Sequence, residues 1–408
     1  MQLRTLLLPY VAIVGCMAEQ PPLEVATVLS VQMAQSIMSR QQGILSSQKD
    51  VSALLQAGFV QKALHALRMQ HAEPSLRTAI DAYTTSSLDS TVAVLSNATQ
   101  DTHYPLDRLS NGNGLLQAWQ KTGAAKYKAG VEALRKSVDL QRRNAEGGLW
   151  YYVYPYWSYL DGMYSYAPFM TAYTEAFSSS SCELDAIVLQ LDLLWQHCFH
   201  NETGLLVHGY DARRKAVWAN KVTGASPHVW GRSLGWYCMA LVDMLELLPA
   251  TASESRAYVT TRFQQLMAAV TRAADDKTGA WWQILDEPGR EGNYIESSAS
   301  SMFVYSLLKG LRLGALSAAC QVSAGVYEKT ANRAYEYIAK TFVVDNGNGT
   351  LGWNGTVGVC SLNSTADYEY YVTRPLVYNS VLGSAAFVLA SLEYERLGGL
   401  RGTKSHEK

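Results

Sequence analysis

Five stretches of this chain are built to one plan, and that repetition constrains the fold more than any other feature. Each opens on a polar or aromatic-polar cluster, continues as small and apolar residues, and stops near Gly or Pro: residues 106–123, 160–177, 229–249, 295–314 and 378–398. Amphipathic stretches carrying more charge lie between them, at 124–143, 183–197, 255–275 and 326–344. The first class reads as buried inner helices and the second as outer helices. Inner starts at 106, 160, 229, 295 and 378 are 54, 69, 66 and 83 residues apart, each room for two helices and their loops. Residues 25–41 supply a sixth inner helix, with 51–68 as its outer partner. Six such hairpins close into a ring in which every inner helix starts at the same rim. The polar clusters therefore collect on one face, which is the expected site. The fold class is all-α, with alternation confined to 149–156 and the neighbourhood of 280–284, where short β-hairpins are expected at the site rim.

At 408 residues, 48% hydrophobic and 17% charged, the chain buries a sizeable core and is not disordered. Its 34 Lys and Arg against 35 Asp and Glu leave no positive field to hold a nucleic acid. The 25 Tyr and 10 Trp against 8 Phe supply rings with an apolar face and a hydrogen-bonding tip, a mixture suited to sugars and also to a large wet-edged core. Residues 1–18 are laid out as a secretory signal: Arg4, an apolar run from Leu6 to Met17, and Ala18 before Glu19. That run is shorter than the roughly 20 residues needed to span a bilayer, so the mature chain is expected to be secreted with no membrane segment. Sequons at Asn97, Asn201, Asn348, Asn354 and Asn363 mark surface loops and expected N-glycans. One domain, 22–400, is expected, with a charged tail over 401–408. Cys182 and Cys198 flank one periodic stretch, and the sequence leaves a disulfide and two free thiols equally open. Cys238, inside an apolar run, reads as an inert buried thiol.

Four blocks carry the candidate chemistry. Asp107 opens an inner helix, where an N-terminal cap is the ordinary explanation. Asp161 sits among five aromatic side chains in 154–164. A cap needs no such company, and partial desolvation favours the protonated form that a general acid requires, although a helix start favours the anion. A nearby carboxylate, Asp107, would help restore the proton. His208 lies in His208-Gly209-Tyr210-Asp211 and Arg232 in Trp230-Gly231-Arg232-Ser233-Leu234-Gly235-Trp236. An Arg between two indoles suits a carboxylate ligand, while pairing with a loop carboxylate would make it structural. The fourth block, 281–300, ends at an inner helix start in small residues that permit close approach. Gly231-x-Ser233-x-Gly235 matches the nucleophile-elbow pattern, but that motif needs a preceding strand and a later catalytic His, and His406 is the only later one. No HExxH or Gly-rich phosphate loop occurs, and His197 with His200 lacks further ligands, so no metal or cofactor is expected.

Taken together, Trp157-Ser158-Tyr159-Leu160-Asp161-Gly162-Met163-Tyr164, His208 to Asp211, Trp230 to Tyr237 and Arg290 to Ser300 resemble the unsaturated rhamnogalacturonyl hydrolases, relatives of the unsaturated glucuronyl hydrolases. The resemblance spans about residues 105 to 390. It implies an (α/α)6 barrel and cleavage of small pectin-derived oligosaccharides ending in a 4,5-unsaturated uronic acid. The implied chemistry is hydration: an Asp protonates C4, water adds at C5, and the hemiketal opens and expels the aglycone. Asp161 then resembles the general acid and base and Asp107 the second carboxylate. His208, Trp230, Arg232, Trp236, Trp157 and Tyr159 resemble sugar-binding positions. Tyr159 departs from the Trp that bacterial members often carry there. A conventional two-carboxylate glycosidase, an unsaturated glucuronyl hydrolase and a non-enzymatic carbohydrate-binding protein are the other readings.

Overall fold

Helices apolar on every face must be surrounded by protein, and that requirement organises this molecule. A computed structural model describes residues 28–45, 52–177, 181–317 and 322–404. The expected signal at 1–18, Cys320 and the end of the expected tail lie outside the described residues. In chain order, α1 (Leu29–Ser39), α2 (Ala53–Gln70) and α3 (Pro74–Val92) precede a short α4 (Ala98–Asp101). A 3-10 turn, Leu106–Asn111, runs into α5 (Gly112–Thr122), followed by α6 (Ala125–Asp139). Then come β1 (Trp157–Tyr159), α7 (Asp161–Ala176), α8 (Ser181–Cys198) and three short strands, β2 (Phe199–His200), β3 (Leu205–Leu206) and β4 (Gly209–Asp211). After them run α9 (Gly231–Leu247), α10 (Ser253–Arg272), α11 (Ser297–Arg312) and α12 (Ala324–Phe342). The chain ends with β5 (Val343–Asp345), β6 (Leu351–Trp353), α13 (Tyr368–Val372) and α14 (Val381–Lys404).

Going round the ring, α2, the 3-10 turn with α5, α7, α9, α11 and α14 pack in succession, and α14 returns to α2. Outside them, α3, α6, α8, α10 and α12 each lie against the preceding inner helix, and α1 covers α14. This is the expected (α/α)6 barrel with one exchange of roles. Residues 53–70 form the first inner helix, not an outer one, because Leu54, Leu55, Phe59, Val60, Ala63, Leu64 and Leu67 bury all sides of α2. In α1 only one face is buried, around Met33, Ala34 and Ile37, so it serves as an outer helix. The outer partner of α2 is α3, which begins with Pro74 at its first position and Glu73 accepting from the Ser75 and Leu76 amides. Helix α14 also runs to Lys404, past the start of the expected tail. No described helix is long and apolar enough to cross a membrane.

Sheet is sparse, but not where alternation suggested. The 149–156 stretch is irregular, and the strand lies just beyond it: β1 pairs antiparallel with β4, Trp157 opposite Asp211 and Tyr159 opposite Gly209. Near 280–284 only single bridges form, Trp230 with Ile284 and Trp282 with Ile295. Cys182 and Cys198 are free thiols at opposite ends of α8. At about 1.5 Å rise per residue they stand roughly 24 Å apart, which no disulfide spans. Cys238 is wholly buried, and burial pushes its thiol well above the ordinary range, as an inert core residue requires.

At the end of the barrel away from the inner helix starts, a cavity of about 370 Å³ is lined by later turns of α2, α9, α11 and α14. Its cations are matched by carboxylates. Lys62 crosses from α2 to Asp243 on α9, Lys309 reaches Asp243 and Glu246 at 2.7 Å each, and Arg312 and Arg396 both hold Glu393. Burial alone would raise the Asp243 carboxyl, but Lys309 and Lys62 override it and bring it down to about 2. Removing this one anion leaves Lys62 without its carboxylate and the buried Lys309 with Glu246 alone. Asp243→Asn is therefore expected to cost about 3–5 kcal/mol in urea denaturation at pH 7. In the parent the contribution is complete above about pH 4, where the unfolded carboxyl is ionised, and fades as pH falls toward 2. A loss below about 1 kcal/mol at pH 7 would contradict this account.

Candidate active site

The rim of the barrel is assembled by backbone hydrogen bonds between segments far apart in sequence. Leu106 N–H donates to the Tyr151 carbonyl (2.9 Å), Tyr151 N–H to Trp157 (2.8 Å), and Leu160 N–H to His208 (3.1 Å). His208 N–H reaches the His228 carbonyl at 3.2 Å, and Gly231 N–H reaches Gln283 at 2.9 Å. These ties bring the first carboxyls of two inner elements, Asp107 of the 3-10 turn and Asp161 of α7, into one electrostatic neighbourhood. The charge of Asp161 acts on Asp107.

Asp161 is the first residue of α7, and its carboxylate Oδ2 accepts a hydrogen bond from Ser233 Oγ on α9. His208 Nε2 lies 3.4 Å from the same oxygen. On its other side His208 Nδ1 is 2.8 Å from the Tyr371 hydroxyl of α13. The imidazole is fully buried and Nε2 has no hydrogen-bond partner among the described residues. The Tyr371 hydroxyl at Nδ1 holds the ring with Nε2 turned toward the Asp161 carboxyl. Tyr371 was not recognisable beforehand, being 163 residues from the histidine it orients.

Asp107 is the carboxyl that its surroundings keep protonated. Burial pushes it up to about 7, and the negative charge of Asp161 adds to this, while the Tyr151 O–H donated to Oδ2 at 2.8 Å and nearby Arg108 pull the other way. Its Oδ1 is buried without a partner among the described residues. The sequence argument placed that tuning on Asp161 and treated Asp107 as the helper. Burial raises the helper, Asp107, which lies behind Tyr151. Tyr151 carried no motif, and only its place in an aromatic run beside the acid hinted at a role.

The aromatic positions divide. Tyr159 stacks on Tyr151 with centroids 4.3 Å apart and meets the His208 ring edge-on at 5.2 Å. Trp230 tilts against His208 at 4.8 Å, and its indole N–H donates to Gln283 Oε1 at 3.1 Å. Trp157 is half-buried farther out, against Tyr154 and edge-on to Trp218. Trp236 lies inside the barrel between Phe59 of α2 and Tyr164 of α7, and is 1% exposed. It packs the interior below the site and is not an open sugar platform.

Arg232 does not present the expected carboxylate clamp. Its two terminal nitrogens donate to the Val357 and Gly358 carbonyls at 2.6 Å each, and Glu296, the N-cap of α11, is 3.9 Å away. Glu296 also accepts from the Val357 N–H at 3.0 Å, so the two residues together pin the 357–358 backbone to the barrel. Arg232 is 1% exposed, with both terminal nitrogens committed to these carbonyls. Of the expected set, then, Asp161, Asp107, His208, Tyr159 and Trp230 converge. Trp157 stands at the edge, and Arg232 and Trp236 support from behind. Among the described residues, His228, Asp286 and Glu287 bring donor atoms within 4.8 Å of one another. His228 and Asp286 are already paired at 3.1 Å, and Asp286 also accepts the Val229 N–H.

The same architecture recurs in known proteins. A glycoside hydrolase from family 105 of C. acetobutylicum has a TM-score of 0.78 at 31% identity, covering 90% of this chain and 99% of that one. The unsaturated glucuronyl hydrolase of Bacillus sp. GL1, responsible for the degradation of glycosaminoglycan, shares the fold, with a TM-score of 0.62 at 12% identity over 90% and 95% of the two chains. A 24.9 kDa protein in the picA locus of Rhizobium radiobacter is 37% identical over 199 residues, 47% of this chain and 82% of its own length. The profile of Glycosyl Hydrolase Family 88 matches residues 29–398, from the outer helix α1 through nearly all of α14. The chain belongs to Glycosyl Hydrolase Family 88 and is a glycoside hydrolase.

Proposed function

We propose that the protein releases a 4,5-unsaturated uronic acid from the non-reducing end of small rhamnogalacturonan-derived oligosaccharides by hydrating the C4=C5 double bond. The observation that carries this reading is one carboxyl, Asp161, backed by a second, Asp107, that burial holds protonated near neutrality. Protonation of an enol ether needs a single acid, not two carboxylates astride a glycosidic bond. Asp161 delivers its proton to C4. Water then bonds to C5 and returns a proton to the Asp161 carboxylate, and the C5 hemiketal opens with departure of the aglycone. His208 Nε2 lies 3.4 Å from that carboxyl, and the rings of Tyr159 and Trp230 pack against the imidazole. The resemblance of residues 157–164, 208–211, 230–237 and 290–300 to unsaturated rhamnogalacturonyl hydrolases supports this chemistry over a conventional glycosidase. The protein acts outside the cell with residues 1–18 removed. Asn97, Asn201, Asn348, Asn354 and Asn363 are all exposed, as N-glycan acceptors must be.

With an unsaturated galacturonyl-rhamnose disaccharide, the ultraviolet absorbance of the conjugated double bond is expected to disappear, and the saturated analogue to survive. Asp161→Asn should slow the loss by about 10²–10⁴-fold. Constant absorbance with the parent would turn the assay to unsaturated glucuronyl substrates, and failure there as well would end the hydration reading.

Asp107 sets the pH behaviour. Above about 7 it becomes a second buried anion facing a substrate that already bears a carboxylate, so kcat/KM should fall as pH rises from 6 to 8. A rise over that range would refute the assignment. The same shift opposes folding: the unfolded carboxyl ionises near 4 and the folded one near 7, so the penalty grows between those values and persists above them. Asp107→Asn is expected to match the parent in stability at pH 4 and to exceed it at pH 8 by on the order of a few kcal/mol, with activity reduced. Equal urea midpoints at pH 8 would count against a buried, protonated Asp107.

A further inference from the structure

The Gly231-x-Ser233-x-Gly235 pattern failed as a nucleophile elbow, yet its serine lies in the active centre. Both glycines have a packing explanation. A Cβ on Gly231 would come within 2.9 Å of the Ala299 Cβ, and one on Gly235 within 2.8 Å of the Met302 Sδ, so both allow α9 to approach α11 closely. Packing alone does not call for a hydroxyl at the position between them. Ser233 is fully buried, and its Oγ donates to Asp161 Oδ2 across the gap between α9 and α7. Its other contact is the His208 carbonyl at 3.3 Å, and no imidazole nitrogen bonds it. Among the described residues, the histidine that activates an elbow serine is therefore not bonded to it.

We infer that Ser233 is a positioning residue for the reaction: it holds Asp161 by Oδ2 and so fixes the rotation of the carboxyl that delivers the proton. This rests on the role proposed for Asp161 above. A carboxyl at a helix start swings about two torsions. Oδ2 is anchored by Ser233 and faced by His208 Nε2 at 3.4 Å, which leaves Oδ1 to exchange the proton with substrate. Asp107, Tyr151, Tyr159 and Tyr371 also act electrostatically with Asp161, from the 3-10 turn, the segment between α6 and β1, β1 and α13. Ser233 is the residue from α9 that bonds it. The anchoring hydroxyl and the acid it positions belong to adjacent inner helices, so the geometry of the acid depends on the α7–α9 contact of the barrel.

The test uses the full-length protein with Ser233→Ala and with Ser233→Thr, which keeps the hydroxyl. On the unsaturated disaccharide, Ser233→Ala is expected to lower kcat by about 10- to 100-fold with KM within about threefold, since orientation matters at the transition state more than in binding. Ser233→Thr should recover most of the rate. In an Asp161→Asn background, Ser233→Ala should add nothing further. A kcat unchanged in Ser233→Ala overturns the inference. So does a loss that Ser233→Thr leaves unrescued and that adds in full to Asp161→Asn, because that is the behaviour of a packing defect. A spectroscopic arm is independent of turnover. With ¹³C-labelled aspartate, the Asp161 carboxyl resonance, assigned by its loss in Asp161→Asn, should move in Ser233→Ala and stay in Ser233→Thr at a single pH. A stationary resonance overturns the anchoring bond. An inert parent whose resonance does move brings down the proposed substrate while leaving the bond established.

Discussion

The return of α14 onto α2 is the contact on which everything else depends. Six inner helices that are apolar on nearly all sides cannot exist as a sheet of helices with two open edges, and closing the ring removes both edges at once. Closure also gathers the helix starts at one rim, where α7, α9 and α11 begin at Asp161, Gly231 and Ser297. Polar residues at these starts face a shared space rather than open solvent. At the other end, Lys62, Asp243, Lys309 and Glu246 neutralise one another across the barrel, so that end is filled by paired charge. The two ends of one tube thus carry opposite kinds of electrostatics. Charges are matched at the far end. At the rim, Asp107 and Asp161 are two acids with no Lys or Arg within salt-bridge distance among the described residues, and the buried imidazole of His208 lies 3.4 Å from Asp161.

That asymmetry explains why the arginine went to the frame and the histidine to the site. A guanidinium beside Asp107 and Asp161 would hold both as anions, and neither would then be available as an acid. Arg232 instead serves the backbone at 357–358 together with Glu296, where a permanent charge with five donors satisfies several carbonyls at once. The 357–358 segment leads toward α13, whose Tyr371 orients His208. The clamp built by Arg232 therefore bears on the active centre through the chain it fixes. Trp236 acts similarly from below, filling the space between Phe59 and Tyr164 so that the rim rests on a packed floor.

Much of this was readable from the chain because it depends on local pattern. The inner segments near 106, 160, 229, 295 and 378 fell at helices because a buried helix has a distinctive lack of charge. The aromatic company of Asp161 was equally local. The parts that escaped were those decided by burial in three dimensions. Residues 25–41 and 51–68 are both apolar and helical, and only packing decides which is enclosed. Helix α3 is rich in Ser and Thr, poor helix formers, and its clearest signal was the Glu-Pro start that fixes its first turn. The roles of Tyr151, Tyr371 and Glu296 depend on partners 44, 163 and 61 residues away, and no window along the chain contains both members.

Gly231-x-Ser233-x-Gly235 shows why a short pattern has no meaning apart from the surface it faces. In a nucleophile elbow the glycines permit a strained turn and the serine points outward to a histidine. Here the three residues occupy the first turns of a regular helix. Its glycines let one inner helix settle against the next, and its serine, facing the other neighbour, meets a carboxylate. A hydroxyl facing an imidazole can be activated as a nucleophile, whereas a hydroxyl facing a carboxylate donates and restrains. What separates these outcomes is the partner across the interface, and ring closure supplies it by setting α7 and α11 on either side of α9.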